Sequence, residues 1–128
     1  MPRLQLDNNR LDPAIRDVVA GYQHALVSQV QQAIDAHPVV VVGMAQNPFV
    51  KRARRALDAA GVRYQYIERG SYFSAWRERL ALKMWSGWPT FPMVFVQGQL
   101  IGGADELQRL IASGVLQQRL AAGRPAAA

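Results

Sequence analysis

Residues 88–105 constrain the fold of this chain more than any other segment. They begin with Trp-Pro-Thr-Phe-Pro, whose first proline ends any preceding helix because it lacks an N–H group. The β-prone run at residues 93–96, followed by the turn Gln-Gly-Gln at 97–99, predicts a β-hairpin. Gly102 and Gly103 then let the backbone bend sharply before a new helix begins. The sequence therefore predicts an antiparallel strand pair followed closely by a helix.

A strand, a helix and a second strand are predicted ahead of the hairpin. Residues 39–42 are four consecutive valines, which is typical of a central strand buried on both faces. Asn47 followed by Pro48 predicts a helix start, with the asparagine as cap and the proline in the first turn, and Gly61 ends that helix. Residues 62–68 alternate in polarity, as in a strand. This order implies a right-handed crossover between parallel neighbours.

The chain before the first strand is predicted to form an amphipathic helix. Asp12-Pro13 is a suitable start, the periodic pattern continues to about Ala36, and Gly21 is a point where the helix can bend or break. Its early apolar stripe consists of Ile15, Val18, Val19, Tyr22 and Leu26. Two interpretations remain open for this stripe, namely packing on the chain's own sheet and contact with a second copy in a homodimer.

Two more helices are predicted around the hairpin. Residues 73–85 have helical spacing, and residues 105–113 carry a second apolar face, followed by a short helical piece at 114–120. In the first of these helices, four large apolar side chains are predicted to face inward: Phe73, Trp76, Leu80 and Met84.

The hairpin and its flanks resemble the glutaredoxins. Trp-Pro-Thr-Phe-Pro before the hairpin is similar to their monothiol branch, and Gly-Gly-Ala-Asp after it is similar to the family's Gly-Gly-x-Asp. The resemblance covers residues 28–120. It implies an α/β, thioredoxin-like (glutaredoxin) fold, with a four-stranded mixed sheet of order 2-1-3-4, an antiparallel third strand and flanking helices. The expected division is an N-terminal extension and helix packing on the domain (1–36), the glutaredoxin-like domain (37–120) and a flexible tail (121–128).

The chain departs from that family at the reactive position, because it contains no cysteine. In glutaredoxins the loop after the first strand delivers a cysteine to a helix N-terminus, where the partial positive charge of the helix lowers the thiol pKa. The matching residues here are Asn47, Pro48, Phe49 and Val50. No catalytic residue is therefore predicted, and neither thiol–disulfide exchange nor a thiolate-ligated iron–sulfur cluster is expected. Asn47 also has an ordinary explanation as a helix cap worth about 1 kcal/mol.

The resemblance implies that elements of a glutathione site are retained. An extended peptide is expected to pair with the backbone of Phe91 ahead of a cis bond to Pro92, with Thr90 beside it. Arg79 and Lys83 lie four residues apart on one helix face, as in monothiol members, where such residues approach the glycyl carboxylate. Two basic residues at that spacing are also typical of a solvated helix surface.

The other end of glutathione is expected at the helix that follows the hairpin. By the resemblance, backbone N–H groups at Gly103 and Ala104 bind the γ-glutamyl carboxylate, and the side chain of Asp105 takes the amine. The family's lysine after the first strand is replaced by Met44. Losing that charged hydrogen bond weakens binding roughly ten- to hundred-fold, since such a bond is worth about 1.5–3 kcal/mol. Glutathione is therefore expected to be a weak ligand.

Composition argues against several other classes of function. The net charge is +6, but the basic residues are dispersed and their densest group, at 51–55, lies on one predicted helix, which favours a solvated face over a nucleic-acid site. His24 and His37 lack the spacing of a metal site. The longest apolar run, 38–45, is too short to span a bilayer, and no secretory signal is visible, so the expected location is the cytoplasm and no membrane partner is expected.

Three functions remain open on the sequence. The first is a binding module that holds glutathione, a glutathionylated protein or an extended peptide without redox chemistry. The second is an enzyme that uses the thiol of a bound glutathione as its only sulfur. The third is a scaffold or regulatory protein, which either dimerises through the N-terminal helix or pairs with a true glutaredoxin.

Overall fold

A four-stranded sheet forms the centre of the structure, a computed structural model that describes residues 2–124. Its strands are β1 (Val39–Gly43), β2 (Gln65–Glu68), β3 (Met93–Val96) and β4 (Gln99–Gly102). They lie in the order β2-β1-β3-β4. β1 is parallel to β2 and antiparallel to β3, which in turn is antiparallel to β4. The predicted strand order, the hairpin and the antiparallel third strand are confirmed.

Helices cover both faces of this sheet. Within the described residues they are α1 (Arg16–Gly21), α2 (His24–Ala36), α3 (Pro48–Ala59), α4 (Trp76–Ser86), α5 (Ala104–Ala112) and α6 (Val115–Ala122). Alternate valines of β1 enter two separate cores. Val40 and Val42 pack with α2 and α4, whereas Val39 and Val41 pack with α3, α5 and α6. None of the helices in residues 2–124 is both long and apolar enough to cross a membrane.

The N-terminal helix is divided in two. Gln23 has a left-handed backbone (φ 49°) and separates α1 from α2, so the predicted break near Gly21 is confirmed. The predicted start at Asp12-Pro13 is wrong, because the side chain of Asp12 instead accepts the N–H of Ala14 in a turn (2.8 Å) and the helix begins at Arg16. No residue of α1 is buried, whereas α2 buries Leu26, Val30 and Ile34.

The predicted inward face of α4 is wrong. A turn at Ser71–Ser74 and a left-handed Ala75 (φ 55°) delay the start of the helix to Trp76. The four side chains predicted to face inward are 41–95% exposed: Phe73, Trp76, Leu80 and Met84. The buried face consists of Arg79, Ala81 and Leu82. The prediction assumed that the largest apolar side chains are the buried ones. The helix instead packs through a small alanine and one leucine.

The end of the described chain is fixed to α2. α6 extends to Ala122, two residues into the segment predicted to be a flexible tail, and residues 125–128 of that segment lie outside the described part of the chain. Nη2 of Arg124 donates to the carbonyl oxygens of Ile34 (2.7 Å) and Asp35 (2.9 Å). A cation bound to the free carbonyls at a helix C-terminus is stabilising. Arg124 therefore caps α2. The division into domains stays a prediction.

Candidate functional site

Asn47 lies at the N-terminus of α3, the position at which the resemblance implies a reactive group. Its Oδ1 accepts the backbone N–H groups of Phe49 (2.9 Å) and Val50 (3.1 Å), and the residue is only 7% exposed. The predicted cap is thus confirmed. The N–H groups that would stabilise a thiolate are bound by a neutral amide oxygen, which is not a nucleophile.

A pocket of about 180 Å³ opens beside this helix end, between α3, the Phe91–Pro92 segment and the start of α5. The Phe91–Pro92 peptide bond is cis. Six of the eight residues predicted to bind glutathione line the pocket: Thr90, Phe91, Pro92, Gly103, Ala104 and Asp105. The fold therefore brings the two separate sequence segments together, as the resemblance implied. Because β3 and β4 are antiparallel, the start of β3 lies beside the end of β4.

Gly103 closely approaches the backbone of Pro92 and the side chain of Trp88. A Cβ atom at this position would lie 3.3 Å from the carbonyl oxygen of Pro92 and 3.6 Å from Nε1 of Trp88. The backbone angles of Gly103 suit any residue (φ −109°), so the glycine is needed for space and not for its conformation. The Nε1 donor of Trp88 is buried and has no hydrogen-bond partner among residues 2–124. An indole N–H at a pocket wall can donate to a ligand.

The pocket is also lined by two residues that were not among the predicted binding residues, Phe49 and Arg52. Nη2 of Arg52 forms an ion pair with Oδ1 of Asp105, which joins α3 to the start of α5. The same guanidinium lies 5.2 Å from the centre of the Phe49 ring, within the range of a cation–π interaction. Sequence spacing gave no signal for this pair, because its members are 53 residues apart and meet only when both helices pack on one face of the sheet.

The two remaining predicted binding residues, Arg79 and Lys83, do not line the pocket. Arg79 is 8% exposed, and its Nη1 donates to the carbonyl oxygen of Ser74, so the structure does not bring this guanidinium to the pocket. Nζ of Lys83 lies 5.6 Å from the centre of the Phe91 ring, near one pocket wall. Met44 is buried in the core that contains Phe91. A methionine there supports the wall of the pocket but offers no charge to a carboxylate.

Other reactive groups are scarce in the described structure. Among residues 2–124, no three His, Asp or Glu side chains lie close enough together to hold a metal ion. Burial raises the pKa of Tyr66 to about 12, so its phenol stays protonated at neutral pH. Tyr66 is therefore not an alternative nucleophile.

Comparison with known proteins relates the chain to one family. The glutaredoxin family model matches residues 39–101. A glutaredoxin-like protein of Dictyostelium discoideum is 43% identical over 102 residues, which is 80% of this chain and 83% of that protein. A probable monothiol glutaredoxin of Legionella pneumophila is 35% identical over 60% of this chain and 83% of its own length. Among solved structures, a buckwheat glutaredoxin–glutathione complex superimposes with a TM-score of 0.69 at 28% identity, covering 80% of this chain and 93% of that one.

Proposed function

Because the chain belongs to the glutaredoxin family, we propose that it is a binding module that holds glutathione, or an extended or glutathionylated peptide, without thiol–disulfide exchange. The observation that carries this proposal is the pocket at the start of α5, which remains lined by six predicted binding residues while Asn47 occupies the family's cysteine position. Ligand binding and thiol–disulfide exchange therefore depend on different residues of this chain. The first needs the pocket walls, and the second needs a thiol that the chain lacks.

The peptide backbone and the two carboxylates of glutathione each have a partner of suitable chemistry in or near this pocket. The backbone of Phe91 offers an edge with which an extended peptide pairs. The N–H groups at Gly103 and Ala104 stand at the N-terminus of a nine-residue helix, where a carboxylate is favoured. Lys83 is the cation available to the glycyl carboxylate. With Met44 buried and uncharged, we expect affinity below that of relatives that have a lysine there.

Glutathione is expected to bind the intact protein, and Gly103→Ala is expected to weaken that binding about tenfold or more, the equivalent of one charged hydrogen bond. The added methyl group would stand 3.3 Å from the Pro92 carbonyl and narrow the pocket at the N–H groups that receive the carboxylate. Isothermal titration calorimetry with S-methylglutathione, whose thiol is blocked, measures binding without oxidation. Amide NMR shifts should locate the ligand at Phe91 and Ala104.

The matched control for this experiment is Gly21→Ala. A methyl group added at Gly21 would meet no atom within 4 Å, and the residue lies in α1, outside the pocket, so affinity should be unchanged. If saturating S-methylglutathione moves no amide resonance around the pocket, glutathione binding is excluded.

A homodimer is a second candidate function, favoured by an apolar groove on the opposite side of the molecule. The groove has a volume of about 600 Å³ between α1 and α4, and its lining side chains carry no Asp, Glu, Lys or Arg. Val18 and Val19 of α1, with Tyr22 directly after it, line the groove together with Leu80 and Met84 of α4. All five side chains are 37–68% exposed. A contiguous group of exposed apolar side chains is a candidate interaction surface. A second copy of the chain is a suitable partner, because a two-fold dimer brings the same uncharged groove of both subunits together. Contact through an uncharged surface limits the repulsion between two chains that each have a net charge of +6.

Val18→Asp is expected to convert such a dimer to a monomer. The melting temperature of the monomeric protein should not fall, since Val18 is 68% exposed. A buried, unpaired carboxylate at an interface is strongly unfavourable. Sedimentation equilibrium across a range of protein concentrations measures the change, with Gln32→Asp on the exposed surface of α2 as the charge-matched control. A wild-type chain that sediments as a monomer at about 100 μM would reject the homodimer, because the interface would then be weaker than any functional one.

A further inference from the structure

We propose that Arg52 determines which ligands the pocket accepts, because it forms an ion pair with the carboxylate of Asp105. The inference rests on the proposed function, since it concerns the same pocket. It changes the expectation that Asp105 reads the amine of glutathione. With Asp105 paired to an arginine of its own chain, the pocket takes peptides through their carboxylate, whether or not they carry a free amine next to it.

Arg52 has two partners within the chain, and its side chain is 40% exposed while that of Asp105 is 63% exposed. Its guanidinium contacts Oδ1 of Asp105 and lies 5.2 Å from the centre of the Phe49 ring, and all three residues line the pocket. Both partners belong to the same chain, so the pair forms without the loss of translational freedom that a ligand's ammonium group must suffer. The planar guanidinium is also better suited than an ammonium group to a carboxylate partner. A ligand amine therefore meets a carboxylate that already has a cation.

Arg52 also changes the charge of the pocket. A carboxylate at the N-terminus of α5 is attracted by the helix N–H groups, and the guanidinium of Arg52 offsets the repulsion from Asp105. For a ligand ammonium group in the same place, the guanidinium offsets the attraction of Asp105. The pocket thus favours the carboxylate and is indifferent to the amine. Its ligand class is acidic peptides, including those whose amine is blocked by acylation.

Glu106 is the other carboxylate at the pocket, and it is the alternative partner for an amine. It follows Asp105 in the first turn of α5, and no ion pair of Glu106 is present among the described residues. Glu106→Gln should therefore leave the relative affinity of amine-bearing and amine-free ligands unchanged if the inference is correct. If the unchanged protein prefers glutathione and Glu106→Gln abolishes that preference, the amine is recognised by Glu106 and the inference is wrong.

The test compares glutathione with glutaryl-cysteinylglycine, which is glutathione without its amine, by calorimetry. On the unchanged protein the two affinities should agree within about threefold, less than one hydrogen bond. On Arg52→Gln, which frees Asp105, glutathione should be preferred by about tenfold or more. Arg52→Lys should keep the affinities nearly equal, because the charge remains. Arg55→Gln, an exposed arginine of the same helix, controls for the change in net charge.

Two results would overturn the inference about Arg52 and leave the proposed function intact. A preference for glutathione of about tenfold on the unchanged protein would overturn the inference, since the amine is then read despite Arg52. An equal ratio of affinities on the unchanged protein and on Arg52→Gln would overturn it as well. In both cases glutathione still binds and the proposed function stands. Failure of both ligands to bind any of these proteins would overturn the proposed function, and this inference with it.

Discussion

Asn47→Cys is expected to give the protein a glutathione-dependent disulfide reductase activity, whereas the unchanged chain should show none above background. The unchanged chain has no residue that can form a mixed disulfide, because it contains no cysteine. The new sulfur would replace an amide oxygen that accepts two N–H groups at the start of α3. The same N–H groups and the helix dipole should lower the thiol pKa and supply a thiolate at neutral pH.

The turnover of this variant should be modest, for two structural reasons. Residue 47 is only 7% exposed, which limits access of a disulfide substrate, and the buried Met44 supplies no charge to a ligand carboxylate. The pH dependence of alkylation by iodoacetamide measures the thiol pKa. A value close to about 8.5, that of an unperturbed thiol, would show that the helix does not stabilise the thiolate.

Asn47→Ser is the matched control for the cysteine variant. A serine hydroxyl also caps a helix, so the fold is kept, but it is not a nucleophile without an adjacent base. This variant should remain inactive. Activity of the serine variant or of the unchanged chain, in preparations free of contaminating glutaredoxin, would contradict the assignment of reactivity to a thiol at residue 47.

Leu82→Ala is expected to lower the free energy of unfolding by about 2–5 kcal/mol, the range for a buried leucine. Leu82 is completely buried in the core formed by α2, α4 and one sheet face. Leu80→Ala is the matched control on the same helix and should cost less than about 1 kcal/mol, because Leu80 is 41% exposed. Urea denaturation followed by circular dichroism measures both values.

This pair of variants also distinguishes two orientations of α4. The apolar pattern of the sequence places Leu80 inward, whereas the structure buries Leu82. A larger loss of stability in Leu80→Ala than in Leu82→Ala would show that the pattern is correct and the structural orientation wrong. Leu80 also lines the groove of the proposed homodimer, so stability should be measured at a protein concentration where sedimentation shows a monomer.

The parts of the fold that the sequence predicts are those defined by local chemistry. The consecutive valines of β1, the cap at Asn47 and the turn before β4 each act within a few residues, and all three are confirmed. The strand order comes from the family resemblance, because pairing between strands so far apart in sequence has no local signal.

The parts that the sequence does not predict depend on tertiary packing. The stripe of large side chains on α4 indicates a buried face, although a helix can pack closely through Ala81 and leave larger groups to solvent. The spacing of Arg79 favours a ligand contact, whereas its guanidinium donates to a carbonyl in its own chain. Arg52 belongs to a predicted basic surface, yet it lies in the pocket, paired with Asp105. The whole fold determines which partner a long cationic side chain reaches, so the spacing of residues in the sequence does not predict that partner.

The contact of Arg124 with the end of α2 has a practical consequence for capturing this protein on a solid support. Arg124 binds beside Asp35 and His37, just before β1 begins, whereas the pocket opens beyond the other end of β1. Five residues of strand separate these ends by roughly 17 Å, at about 3.3 Å per residue. An anchor attached beyond residue 124 therefore starts from the pole of the molecule opposite the pocket. Immobilisation through that side leaves the pocket facing the solution, which suits surface-based screening of peptide libraries.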